Sequence, residues 1–164
     1  MPSTRAYHPA MGLTIETFTT VPTTVAKKGP VYERLHVTVQ ESANGSGSMV
    51  VMNGIDARRS YGELIGMHDF LRGVRRVALI EDIEVAERAR GRGIGTAILR
   101  ELVEQARVHG ATRLWLHASS MDHPDWQHSL EVFYTDRGFH YVGLDEVDED
   151  DTEFATPLMG IVFG

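Results

Sequence analysis

The segment Val85-Ala-Glu-Arg-Ala-Arg-Gly-Arg-Gly-Ile-Gly95 constrains this chain more than any other. A mostly extended, apolar stretch from Val74 to Val85 runs into a turn with glycines at 91, 93 and 95. After it, Ile98, Leu99, Leu102, Val103 and Ala106 recur at helical spacing, with Arg100, Glu101, Glu104 and Arg107 opposite them. Strand, glycine turn and helix in direct succession bring backbone N–H groups and a helix N-terminus to one place. That arrangement receives a bulky anion such as a pyrophosphate. Arg90 and Arg92 add guanidinium groups suited to phosphate oxygens. The spacing Gly-x-Gly-x-Gly is not the dinucleotide fingerprint, and the turn holds no lysine for a nucleoside-triphosphate loop.

The remaining pattern places this unit in a mixed α/β (α+β) domain with a strand-rich N-terminal part. Leu13–Phe18 alternates apolar and polar residues and is read as the first strand. Val31–Val39 and Met49–Met52 form a hairpin around a turn at Ser42–Ser48, and Leu64–Phe70 is a further strand candidate. Residues 20 to 60 show only strand and turn signals. Gly110 ends the amphipathic helix; Arg113–Ala118 is a strand, Ser129–Arg137 a helix stopped by Gly138, and Phe139–Leu144 and Pro157–Phe163 are strands. A length of 164 residues, 42% hydrophobic and 24% charged, suits a single domain over residues 1–164. Without cysteine there is no disulfide frame or thiolate site. With neither a signal-like run nor a membrane-length apolar stretch, a cytoplasmic protein with no membrane partner is expected. The net charge of −7 makes nucleic acid an unfavourable partner.

Three stretches in the right order resemble the GNAT (Gcn-related N-acetyltransferase) superfamily. Arg90, Gly93 and Gly95 match its Arg/Gln-x-x-Gly-x-Gly/Ala motif, Ile80–Val85 resembles its fourth strand, and Phe133-Tyr-Thr-Asp-Arg-Gly-Phe139 resembles its Phe-Tyr-x-x-x-Gly-Phe motif. The resemblance implies a sheet splayed between its fourth and fifth strands, with acetyl-CoA as co-substrate in the opening and a binding core over about residues 74–144. Ile83, Glu84 and Val85 would pair with the pantetheine arm, and Arg90, Gly91, Arg92, Gly93, Ile94, Gly95 and Thr96 would cradle the pyrophosphate. Gln127 stands where members often carry asparagine beside the cofactor. The implied activity is acetyl transfer to a primary amine, on a small molecule or a protein.

An alkylammonium must lose a proton before it attacks a thioester. Glu81 is the first candidate to take it, because Ile-Glu-Asp-Ile-x-Val is similar to the stretch that carries an acidic pair at the acceptor side in spermidine/spermine and glucosamine-6-phosphate acetyltransferases. Tyr134 is the candidate acid for the departing thiolate. His117, His123 and His128 show no ligand spacing; they are read as solvent-facing, and no metal is assigned. The acidic stretch Asp145–Glu153, seven acids in nine positions, favours a cationic acceptor. Two departures stand out: the family's two helices after its first strand have no counterpart signal, and Ser119–Trp126 is unusually long. Two alternatives stay open, a non-catalytic acyl-CoA-binding or protein-interaction module, and an RNA-binding module using Arg72, Arg75, Arg76, Arg88, Arg90 and Arg92. Oligomeric state is open as well, a homodimer being allowed.

Overall fold

A computed structural model describes residues 3–8, 13–20, 32–39, 44–120, 123–145 and 156–163. The chain runs β1 (Ser3–His8), β2 (Leu13–Thr20), β3 (Tyr32–Val39), β4 (Gly45–Asn53), α1 (Gly54–Tyr61), α2 (Met67–Phe70), β5 (Arg76–Val85), α3 (Ile94–Val108), β6 (Arg113–His117), α4 (Gln127–Thr135), β7 (His140–Asp145) and β8 (Thr156–Val162). Among the described residues one sheet holds eight strands in the order β1-β2-β3-β4-β5-β6-β8-β7. Every pairing is antiparallel except β5 with β6. That single parallel pair requires a crossover, and α3 supplies it.

Two apolar clusters divide along the faces of the sheet. On one face Leu35, Val37, Met49, Val51, Ala78 and Ile80 pack under α3 through Ile94, Ile98, Leu99 and Leu102, with Tyr134 and Phe139 at the edge. Each fully buried aliphatic chain there contributes about 1.5–3 kcal/mol. On the other face Val50, Met52, Val77, Leu79 and Trp115 pack under α1 and α2 through Ala57, Met67 and Phe70.

Four readings of the sequence need correction. Gly45–Ser48, taken as turn, belongs to β4. The glycines are there for contact: a Cβ on Gly47 would lie 2.7 Å from Ile98 Cγ2, and one on Gly45 would lie 3.1 Å from Ile98 Cδ1. Residues 54–60, taken as strand or turn, belong to helix α1, capped by Asn53, whose side chain accepts from the Asp56 N–H at 2.8 Å. Leu64–Phe70 is no strand: Ile65 makes one isolated bridge to Leu144, and Met67–Phe70 is helical. A strand also precedes Leu13–Phe18, since β1 pairs with β2. Among the described residues two helices, α1 and α2, stand between β4 and β5.

Gly54 fixes how α1 leaves β4. Its N–H donates to the Arg75 carbonyl at 2.7 Å, and a Cβ there would stand 1.6 Å from the Val74 carbonyl oxygen. Backbone cannot yield as a side-chain tip can, so Gly54→Ala should cost about 3 kcal/mol, at the upper end for overpacking. Urea unfolding checks this; a midpoint unchanged from the parent would contradict the packing described.

Candidate functional site

The sheet opens where β5 outruns β6. The parallel pairing covers only Val77↔Arg113 to Ile80↔Leu116, while β5 continues to Val85 and keeps its pairing with β4 as far as Gly45. Beyond Ile80, no strand among the described residues lies against the β6 side of β5. On the other bank, the Gln127 side-chain amide donates to the Ala118 carbonyl at 2.5 Å, and the Ala118 N–H donates to Pro157 at 2.9 Å. These bonds tie the residue after β6 to α4 and to β8.

The opening leads to the glycine turn. After Val85, residues Glu87–Ala89 form one 3-10 turn; then Gly91 and Gly93 take φ of 78° and 79°, a region open to glycine at no steric cost. Gly93 is the N-cap of α3 and provides no side-chain cap, and the first turn of the helix holds no acid. Helix α1 satisfies its N-terminus with Asn53, whereas α3 leaves its leading N–H groups for an anion. Gly95 sits between Val85 and Phe133, where a Cβ would stand 3.5 Å and 4.0 Å from their side chains. Arg137, which sequence reasoning passed over although it lies inside the quoted Phe133–Phe139 stretch, donates to Thr96 Oγ1 at 2.9 and 3.2 Å. Its guanidinium, 3.6 Å from the Phe133 ring centroid, adds a positive charge beside the turn. Arg90 reaches across the mouth: its Nε donates to the Val85 carbonyl at 3.3 Å, and its guanidinium lies 4.6 Å from the centroid of the Trp126 ring, on which His123 is stacked. Arg92 is exposed.

Tyr134 lies close enough to β5 to feel the charge of Asp82. Tyr134 is 9% exposed and packs edge-on to Phe133 and Phe139. Burial, and next the negative charge of Asp82, push its phenol up to about 12, so it is a proton donor throughout the neutral range. The Asp82 carboxyl is itself held above its ordinary value, by burial first and then by Glu84 and Glu81. Ser48 lies opposite Asp82 and Met49 opposite Ile80, so Glu81 is the extra residue of a β-bulge. The bulge resets the strand alternation and turns the Glu81 carboxylate to Arg34 of β3, whose Nε and Nη2 donate to its two oxygens at 3.1 and 3.3 Å. Asp82 is thus the acid whose charge reaches Tyr134, while Glu81 is held by Arg34.

His117, read as solvent-facing, keeps 36% of its side chain exposed but also has a partner. It ends β6, half-buried, with Nε2 2.9 Å from an Asp145 carboxylate oxygen. Of the acidic stretch Asp145–Glu153, only Asp145 lies within the described residues. Of the arginines in the RNA-binding alternative, Arg72 pairs with Asp69, Arg76 with Glu33, and Arg88 donates to Asn44. No helix among the described residues is long and apolar enough to cross a membrane.

The model of the Acetyltransferase (GNAT) family matches residues 18–139. Over 66 residues, 40% of this chain and 32% of the other, the chain is 42% identical to streptothricin acetyltransferase of Streptomyces lavendulae. Over 78 residues, 48% of this chain and 42% of the other, it is 33% identical to glucosamine 6-phosphate N-acetyltransferase 1 of Oryza sativa subsp. japonica. The chain spans less than half the length of these curated relatives. Among solved structures, Arabidopsis thaliana Naa50 in complex with a bisubstrate analogue superposes with a TM-score of 0.53 at 12% identity, covering 79% of this chain and 72% of that one, a likeness of fold alone. With the family model spanning most of its length, this chain belongs to the GNAT acetyltransferase family.

Proposed function

We propose that the chain transfers an acetyl group from acetyl-CoA to a primary amine by direct attack, in the opening between β5 and β6. The observation that carries this reading is the placement of three things along one cleft: uncapped N–H groups at the start of α3, the unpaired side of β5 at Ile83, Glu84 and Val85, and a phenol kept protonated at Tyr134. Amides of residues 91 to 96 take the pyrophosphate, with Arg90, Arg92 and Arg137 beside them. The pantetheine arm runs along β5 and brings the thioester towards Tyr134. The amine nitrogen attacks the carbonyl carbon, the C–S bond breaks, and Tyr134 donates its proton to the leaving thiolate. Glu81 meets the reacting end of the acceptor. A cationic acceptor fits a rim that carries Glu81, Asp82, Glu84 and Asp145, and steering by such charges fades with salt over a Debye length of about 8 Å at physiological strength.

Mass spectrometry of amine pools incubated with acetyl-CoA tests the reading. An acetylated amine should form with release of free CoA, and its KM should rise with ionic strength while the KM for acetyl-CoA stays nearly constant. Glu81→Gln should raise the acceptor KM and lower turnover by about 10- to 100-fold. Tight CoA binding with no acetylated product from any amine would favour the non-catalytic module instead.

A further inference from the structure

We propose that His117 is the group that takes the proton from the attacking amine, with Asp145 holding its ring; the inference rests on the transferase reading above. The last rung between β5 and β6 is Ile80↔Leu116, so Glu81 and His117 are the first residues on either bank of the split. Both stand on the α1/α2 face of the sheet. His117 lies two residues beyond buried Trp115, its ring 5.5 Å from the indole, and its register partner on β8 is Leu158; both neighbours belong to the cluster under α1 and α2. Glu81 bonds Arg34, whose register partner Val50 belongs to that same cluster. Imidazole and carboxylate therefore flank one entrance, on the side away from α3, where an acceptor can meet the thioester without crossing the cofactor.

The two groups are differently prepared. Both carboxylate oxygens of Glu81 already accept from Arg34, which fixes the carboxylate in place and suits it to orienting an ammonium. A carboxylate only accepts hydrogen bonds, so the contact of His117 Nε2 with Asp145 places the ring proton on Nε2 and leaves the lone pair on Nδ1. Among the described residues no group bonds Nδ1, and the side chain is 36% exposed. A carboxylate behind the imidazole fixes its tautomer and stabilises the imidazolium that forms. In the balanced step, Nδ1 takes one proton from R–NH3+, the amine forms the C–N bond as the C–S bond breaks, and Tyr134 protonates the thiolate. The second proton of the nitrogen restores the Tyr134 phenol, and His117 later releases its proton to water.

Turnover of the amine that the parent acetylates best is measured in the full chain for His117→Gln, His117→Ala and Asp145→Asn, alongside acetyl-CoA affinity by calorimetry. Expected are losses in kcat of about 100-fold for the two histidine variants and about 10-fold for Asp145→Asn, with acetyl-CoA affinity unchanged. Added imidazole should restore turnover several-fold in His117→Ala, and should do nothing for Tyr134→Phe. A kcat for His117→Gln within twofold of the parent, or a loss in His117→Ala of which imidazole recovers nothing, would overturn the role. Failure of the parent to acetylate any amine would sink the transferase reading, and this inference with it; parent activity with unimpaired histidine variants would sink the inference alone.

Discussion

Gly93→Glu is expected to weaken CoA binding by at least about 100-fold, roughly 3 kcal/mol, through two effects that reinforce each other. Gly93 has φ of 79°, where a side chain is strained. As the N-cap of α3 it would also hold a carboxylate where the pyrophosphate is proposed to sit, so that two anions compete for the same N–H groups and the same end of the helix dipole. Gly93→Asn separates strain from charge, since asparagine tolerates the left-handed region and carries no charge. It should lose far less affinity. Calorimetry with CoA checks both variants, and a glutamate variant that binds like the parent would place the cofactor elsewhere.

Tyr134→Phe should lower kcat by about 100-fold while the affinity for acetyl-CoA stays near that of the parent. Only one oxygen is removed, and the edge-on packing against Phe133 and Phe139 survives, so loss of fold is not the expected cause. The phenol acts on charge that appears as the thiolate leaves, hence a kinetic effect. Its pKa of about 12 also fixes a sign. Because the folded-state value lies above the ordinary value of 10, the phenol stabilises the fold fully below about pH 10, and that contribution fades as pH rises towards 12. Alkaline unfolding should therefore be shallower in Tyr134→Phe. Equal kcat in parent and variant, with chemistry shown to be rate-limiting, would remove Tyr134 from the mechanism.

The segment from β5 through α3 was legible because local rules there agree. The apolar spacing of α3, the glycines of the turn and Gly110 with φ of 81° each point to the same backbone. Elsewhere a glycine has more than one cause. Gly45 and Gly47 resemble turn residues, yet they are small because α3 packs directly over β4, a contact between residues about fifty positions apart. Helix α1 begins with glycine and spans only eight residues, too short for its periodicity to speak, and its one local signal is Asn53 three residues before Asp56. The site shows the same division. The turn and Tyr134 sit in motifs that are local in sequence, whereas the Glu81–Arg34 and His117–Asp145 pairs join residues 47 and 28 positions apart. Alternation alone would set Glu81 and Asp82 on opposite faces of the strand, but the bulge at Glu81 resets its period.

The most direct test of the account is an amide-resolved NMR titration of the chain with CoA. If the opening between β5 and β6 receives the cofactor, the largest shifts fall on the amides of residues 91 to 96, as the pyrophosphate engages the start of α3, and on Ile83, Glu84 and Val85 along the unpaired side of β5. Shifts confined to α1, α2 or the β1–β3 edge, or saturable binding that leaves the Gly93 and Gly95 amides unmoved, would contradict it.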